Sequence, residues 1–161
     1  MAVPDQRERL AQLLARSWCE YDRLKDRDYV VRPAIPVLFF GDSNRYLSSP
    51  LKVVTVGLNP ASAEFPDAHR FNRFPIMSGL PTGPVQRETS RHLAALDSYF
   101  RNNPYKQWFA SFEPILTGLG CSFYGGLENM ALHTDLCSPI ATSPTWARLS
   151  PQQQQSLSLR A

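Results

Sequence analysis

An asparagine followed by a proline is separated by two residues from the end of a short run of β-branched residues, within LKVVTVGLNP at 51–60. Pro60 pushes the backbone of Asn59 toward an extended conformation, so the carboxamide stands on a stiff stem. That group offers one acceptor and two donors. In an open α/β sheet, ligands bind just past the carboxyl ends of the strands, which makes Asn59 a candidate ligand-binding residue. The alternative is an ordinary turn, in which Asn and Pro are both common.

A second group of polar residues lies on another apolar run, at 130–136. His133, Thr134 and Asp135 belong to this run, and Leu-Cys-Ser-Pro at 136–139 leads into a Pro- and Thr-rich segment that extends to 145. Carboxyl ends of neighbouring parallel strands meet at one edge of a sheet, so we expect these residues beside the loop of Asn59. The pattern leaves open which of the three faces a ligand.

Residues 61–84 form a long stretch rich in Pro, Gly and aromatic residues, without sustained periodicity. A loop of this length in a small domain is usually functional or disordered, and this one is too apolar for simple disorder. The sequence therefore predicts a binding loop in which Phe71 or Phe74 stacks on a flat heterocycle. The edge of that heterocycle would be hydrogen-bonded by Asn59, His133 and Asp135.

Each of these side chains also has a purely structural alternative. A histidine on an apolar strand is often a hydrogen-bonded core residue, Asp135 could brace the loop after its strand, and the two phenylalanines could pack in the core. Three arginines are candidates for phosphate contacts: Arg70, Arg73 and Arg91. Four further aromatic residues are expected on helix faces in the core: Tyr99, Trp108, Phe109 and Phe112.

The elements that must position these residues are predicted from periodicity. Asp5 is the expected N-cap of a first helix, with apolar residues at helical spacing from 10 to 24. Strands are predicted near 37–40, 52–57 and 130–136, as short apolar runs typical of strands covered on both faces. Residues 44–50 read as a connector. Helical spacing resumes over 85–100 and again from Pro104 to 112, with an interruption at Pro114, and Ser150 and Pro151 predict a last helix start.

Composition places the chain among ordinary globular domains. Its 161 residues are 43% hydrophobic and 19% charged, with a net charge of +3, so a polyanionic partner is permitted without being required. The sequence contains no run of about 20 apolar residues and no apolar signal-peptide region at its start, so no membrane partner is expected. Three widely spaced cysteines (Cys19, Cys121 and Cys137) predict free thiols in a reducing compartment, and their spacing supports no zinc or iron–sulfur site. No metal is expected. The expected location is the cytoplasm, in association with the nucleoid if the protein is bacterial.

In these motifs the chain resembles the uracil-DNA glycosylase superfamily. Gly-Leu-Asn-Pro at 57–60 is similar to the first motif of the mismatch-specific and single-strand-selective branches, which reads Gly-x-Asn-Pro. Asn-Arg-Phe at 72–74 resembles a segment downstream of that motif in the mismatch-specific enzymes. The run His-Thr-Asp-Leu-Cys-Ser-Pro at 133–139 resembles the central strand on which a polar residue reads the uracil edge. The likeness covers residues 30–150, with gaps.

The resemblance implies one α/β domain over 1–161, a three-layer α/β/α sandwich with a short, mainly parallel sheet. It also implies hydrolysis of the N-glycosidic bond of uracil or a related damaged base in DNA, with the base flipped out of the stack and no cofactor. Asn59 would position the attacking water, and the backbone at Gly57 and Leu58 would line the base pocket. Phe71 or Phe74 would stack on the base, and His133 or Asp135 would contact its edge.

Two departures from the family pattern leave alternatives open. The family usually reads uracil with an Asn on the central strand, whereas Asp135, as a carboxylate, only accepts hydrogen bonds and cannot donate to a uracil carbonyl. A fourth strand and a second motif, which stabilises the departing base, are expected to be missing at the C-terminus. The alternatives are a non-catalytic, truncated homologue that binds nucleic acid or a protein, and a protein that binds a free nucleobase or nucleoside.

Overall fold

The computed structural model of the protein describes residues 5–79 and 88–158. Within these two ranges the sheet has three strands: β1 (Val53–Gly57), β2 (Cys121–Ser122) and β3 (Asn129–Asp135). The strand order is β1-β3-β2, and both pairs are parallel. The α/β class and the short parallel sheet are therefore as the sequence predicts. Strand β2 is not predicted from the sequence, because two residues are too few to show a hydrophobic periodicity.

Six α-helices are present among the described residues. They are α1 (Gln6–Leu24), α2 (Ser43–Ser48), α3 (Thr89–Asp97), α4 (Lys106–Phe109), α5 (Glu113–Gly118) and α6 (Pro151–Leu157). The described part of the chain also contains five 3-10 helices: Ser62–Glu64, Asp67–His69, Pro75–Met77, Tyr99–Arg101 and Trp146–Arg148. None of the described helices is long and apolar enough to span a bilayer. The stretch predicted as helical from 85 lies partly outside the described residues.

The helix boundaries confirm some expectations and correct others. The last helix begins as predicted, with a capping box between Ser150 and Gln153. Asp5 occupies the N-cap position of α1, but its side chain makes no capping hydrogen bond. The connector expected at 44–50 is wrong, because Asp42 accepts from the Arg45 N–H at 3.1 Å and starts α2 there. Pro114 lies in the first turn of α5, so it begins a helix and does not interrupt one.

The strand predicted at 37–40 does not form. The segment makes one antiparallel bridge, in which Phe40 and His133 exchange backbone hydrogen bonds of 2.8 and 3.1 Å. The ladder does not continue, because the Leu38 carbonyl accepts from the Thr134 hydroxyl and the Val37 N–H donates to the Pro139 carbonyl. Extended backbone at 37–40 is present, but its partners are irregular.

The two longer strands differ in how they are covered. Residues 129–133 of β3 are all buried. In β1, by contrast, Val54 is 42% and Val56 is 58% exposed. The expectation that this strand is covered on both faces is therefore wrong.

The register fixes which side chains share a face of the sheet. Thr55 pairs with His133, and Gly57 pairs with Asp135, so these four residues project to the same side. That side packs on an aromatic core in which the Phe40 ring contacts Tyr99 and Phe109 at centroid distances of 4.7 and 5.5 Å. Thr134 projects to the opposite side, where its hydroxyl reaches Leu38. The core thus lies directly beneath the carboxyl ends of β1 and β3.

Candidate functional site

A cavity of about 640 Å³ opens at the carboxyl ends of β1 and β3. Volumes of this order are typical of sites that enclose a small organic molecule. Three parts of the chain line it besides Phe40, β1 and Asp135: the loop that follows β1, the α4 region and the segment near 146. The lining residues are Phe40, Val56, Gly57, Leu58, Asn59, Pro60, Ala61, Ser62, Ala63, Glu64, Tyr105, Trp108, Phe109, Phe112, Asp135, Thr145, Trp146 and Ala147.

The loops after β1 and β3 are hydrogen-bonded along their length, as the sequence predicts for neighbouring parallel strands. The Leu136 N–H donates to the Gly57 carbonyl at 3.1 Å, and the Cys137 N–H donates to the Leu58 carbonyl at 2.9 Å. Further along, the Thr142 N–H donates to the Pro60 carbonyl at 3.2 Å. This pairing continues the sheet past its formal end and holds residues 57–60 rigidly at the cavity.

The carboxamide of Asn59 is fixed in one orientation. Its Nδ2 donates to the carbonyls of Pro60 and Ile140, both at 3.1 Å, and to the hydroxyl of Thr142 at 2.9 Å. Carbonyl oxygens only accept, so the amide nitrogen must face them and Oδ1 must point the other way. Oδ1 accepts no hydrogen bond from the described residues, and Asn59 lines the cavity. The group therefore presents a preoriented acceptor.

The carboxylate of Asp135 is enclosed beside Gly57. Its side chain is only 4% exposed, yet it makes no hydrogen bond with the described residues, and it lines the cavity. A Cβ atom at position 57 would lie 2.4 Å from Asp135 Oδ1 and 3.1 Å from His133 Nε2. Glycine is required at position 57 because the carboxylate occupies the space of its missing side chain.

His133 lies in the core below the cavity and is not one of its lining residues. Its side chain is 4% exposed. Nδ1 is 2.7 Å from the hydroxyl of Thr55, and Nε2 is 3.7 Å from Asp135 Oδ1, beyond hydrogen-bond distance. The rings of Phe40 and Phe109 pack against the imidazole. Of the three residues left open by the sequence, Asp135 is the one at the cavity.

The predicted stacking residues lie away from the cavity. Phe74 is fully buried and stacks on Phe65 at 5.5 Å, and Phe71 meets the same ring edge-on at 6.4 Å. Their proposed contact with a base is not supported by this arrangement, because neither residue lines the cavity. Six other aromatic side chains of the described residues line it: Phe40, Tyr105, Trp108, Phe109, Phe112 and Trp146. Trp108, which the sequence predicted to be a core residue, is 48% exposed.

A buried carboxyl group that the sequence analysis missed also lines the cavity. Glu64 is 4% exposed, and its Oε2 accepts a hydrogen bond from the Tyr99 hydroxyl at 2.5 Å. Arg73 Nε lies 3.8 Å from the same oxygen. Burial raises the pKa of Glu64 to about 7, with a smaller rise from Asp135, against the opposing effects of Tyr99 and Arg73. The only sequence signal for this residue is a single acid between apolar residues of the loop after Asn59.

The proton of Glu64 has a defined position. The Tyr99 hydroxyl accepts from the Tyr105 N–H at 2.9 Å and donates its own hydrogen to Glu64 Oε2. Glu64 Oε1 has no hydrogen-bond partner among the described residues, and no buried side-chain N or O atom there lacks one, so Oε1 is accessible from the cavity. When Glu64 is protonated, its hydrogen lies on Oε1.

The three arginines proposed for phosphate contacts hold the polypeptide instead. Arg70 donates to the Phe65 carbonyl and to Asp67, at 2.5 and 2.6 Å. Arg73 donates to two carbonyls, and Arg91 donates to the Ile76 carbonyl at 3.0 Å. These hydrogen bonds fix the loop after Asn59, and none of the three side chains lines the cavity.

Comparison of the chain with protein-family models, curated proteins and solved structures finds no match. The described residues contain no group of three or more His, Cys, Asp or Glu side chains that could hold a metal ion. The site is therefore interpreted from its own geometry: a preoriented amide oxygen, two enclosed carboxyl groups and aromatic walls.

Proposed function

We propose that the protein is a DNA glycosylase-like hydrolase that cleaves the N-glycosidic bond of uracil or a related damaged base in DNA. The observation that carries the proposal is the locked carboxamide of Asn59, whose nitrogen is held by three acceptors and whose oxygen remains available at the cavity. An amide oxygen can accept a hydrogen bond from water and hold its lone pair toward a sugar carbon. Such positioning contributes to catalysis without proton transfer.

The surroundings of Asn59 support the same proposal. Aromatic side chains of the α4 region offer flat apolar contacts for a heterocycle that has left the base stack. Their exposed edge, at Trp108, gives access from solvent. In this assignment Gly57 and Leu58 contribute backbone to the pocket, and Asp135 contacts the edge of the base.

The test is base release from single- and double-stranded oligonucleotides, with Asn59→Ala compared with the wild type. Loss of the positioned oxygen should reduce the rate by about 100-fold or more. The variant also removes the Asn59 donor from the Ile140 carbonyl and one of the two donors to the Pro60 carbonyl, so we expect it to be less stable by about 1–3 kcal/mol. Assays are therefore run well below its melting temperature, and Asn44→Ala, at an exposed position, is the matched control.

Thr142→Val tests the orientation of the Asn59 carboxamide without removing the carboxamide itself. It deletes one of the three acceptors of the Asn59 amide but retains Oδ1, so we expect an intermediate rate. Absence of base release by folded wild-type protein from every oligonucleotide would refute the proposed hydrolysis. So would full activity in Asn59→Ala.

One observation favours a second candidate function, the binding of a free nucleobase or nucleoside. No Lys or Arg is among the described residues that line the cavity, so no side-chain cation there is placed to hold a phosphate. Thermal stabilisation by a free base, without affinity for DNA, would support this function. Salt-dependent DNA binding without base release would instead support a non-catalytic nucleic-acid-binding homologue.

A further inference from the structure

Of the described residues that line the cavity, Asp135 and Glu64 carry carboxyl groups and none is Lys or Arg. Asp135 is nearly enclosed and has no hydrogen-bond partner among the described residues, and Glu64 presents Oε1. The amide of Asn59 adds a third acceptor, because its nitrogen is already engaged. Burying a carboxylate is unfavourable unless a donor or a positive charge compensates it. A ligand that supplies N–H donors and positive charge would compensate both acids.

The walls of the cavity favour the same kind of ligand. Aromatic faces attract cations through their quadrupole, and Trp is more effective than Tyr or Phe. The cavity includes Trp108, Trp146 and Tyr105. An aromatic enclosure with carboxylates at its base is thus complementary to a flat cation. Uracil is neutral, and its single N–H donor lies between two carbonyl oxygens that the acceptors of the cavity do not complement.

We propose that the preferred substrate of this site is a cationic, N-alkylated base that carries N–H donors, with Asp135 and Glu64 as its recognition groups. That such a base is released rests on the proposed hydrolysis, whereas that it is bound rests on the lining of the cavity alone. The preferred substrate is thereby narrowed from uracil or a related damaged base to the positively charged members of that class.

The chemistry of the leaving group agrees with this assignment. Water oxygen forms a bond to C1′, the C1′–N bond breaks with its electron pair moving to the ring nitrogen, and the proton of the attacking water passes to bulk solvent. A cationic base then departs as a neutral molecule. Uracil departs as an anion, which the charge of Asp135 would destabilise, and no Lys or Arg is among the described cavity residues to offset it.

The binding test uses two nucleosides of nearly equal size. 3-Methylcytidine is cationic and has an exocyclic amine at C4, whereas 3-methyluridine is neutral and has a carbonyl at C4. We expect the wild type to bind 3-methylcytidine at least about tenfold more tightly by calorimetry, a difference of about 1.4 kcal/mol. Asp135→Asn, which keeps the shape of the side chain, should reduce the preference to about threefold or less. Glu64→Gln provides a second variant if the first does not fold.

Glu128→Gln is the matched control, because Glu128 is an exposed acid outside the cavity. It should retain the full preference. Equal or tighter binding of 3-methyluridine by the wild type would overturn the inference. A preference that persists unchanged in both cavity variants would do so as well.

Base release from oligonucleotides containing 3-methylcytosine, 3-methyluracil or uracil distinguishes the two proposals. Release of 3-methylcytosine at a higher rate than 3-methyluracil and uracil supports both the hydrolysis and the cationic substrate. Release of uracil at a higher rate than 3-methylcytosine overturns the substrate inference and leaves the hydrolase intact. Preferential binding of 3-methylcytidine without release of any base supports the ligand class and refutes hydrolysis, and neither binding nor release refutes both.

Discussion

The raised pKa of Glu64 predicts that stability decreases as pH rises. In the folded protein the pKa is about 7, compared with an ordinary value of 4.5, so the folded state holds the proton more tightly than the unfolded state. The resulting stabilisation is complete below pH 4.5 and is lost as pH rises through 7. With about 1.4 kcal/mol for each pKa unit, the loss is about 3 kcal/mol between these limits. Above pH 7 this contribution is constant.

Glu64→Gln removes this titration while keeping a neutral side chain of the same size. We expect the variant to match the wild type near pH 4.5 and to exceed its free energy of unfolding by about 3 kcal/mol above pH 7. For a chain of this length, that difference corresponds to about 6–12 °C in Tm. Urea unfolding followed by tryptophan fluorescence over a series of pH values measures it.

The comparison with Glu128→Gln isolates the buried group. Both variants lose one carboxyl, but Glu128 is exposed. The free energy of unfolding of Glu128→Gln, plotted against pH, should therefore remain parallel to that of the wild type. If the plot for Glu64→Gln is also parallel to that of the wild type between about pH 4.5 and 7, the proposed effect of the raised pKa of Glu64 on stability is refuted. The groups that act on Glu64 (Tyr99, Arg73 and Asp135) are unchanged in all three proteins.

Three further substitutions test the structure around the cavity. Gly57→Ala places a methyl group 2.4 Å from Asp135 Oδ1; it should destabilise the fold by about 1–3 kcal/mol in thermal unfolding and weaken nucleoside binding. Tyr99→Phe removes the hydrogen bond that lowers the pKa of Glu64, so the pH at which stability is lost should move upward. Ser150→Ala removes the capping box of α6 and should reduce the free energy of unfolding by about 1 kcal/mol, without affecting ligand binding.

The parts of the site that follow local rules could be predicted from the sequence. A β-branched run that ends in Gly-x-Asn-Pro gives a strand and a rigid loop, and parallel pairing brings it to the loop after Asp135. The choice among His133, Thr134 and Asp135 could not be made, because it depends on the register of two strands that are far apart in the sequence. A shift of that register by one residue would move every side chain of the strand to the opposite face of the sheet.

The walls of the cavity could not be predicted for a different reason. Glu64, Trp108 and Trp146 come from segments that share no local pattern and meet only through tertiary packing. An aromatic residue at helical spacing is equally compatible with the core and with a cavity. Phe74 and Trp108 show this, since the predicted stacking residue is fully buried and the predicted core residue is half exposed.

Binding of a cationic ligand should be linked to the protonation of Glu64. A positive charge in the cavity favours the ionised carboxyl, so the ligand binds the deprotonated protein more tightly and lowers the pKa of Glu64. The affinity for 3-methylcytidine should therefore rise between about pH 5 and about pH 7.5, and Glu64→Gln should lose this dependence. Calorimetry in buffers of different ionisation enthalpy would detect the released protons. Affinity independent of pH in the wild type would show that Glu64 does not face the bound cation, and recognition would then rest on Asp135 alone.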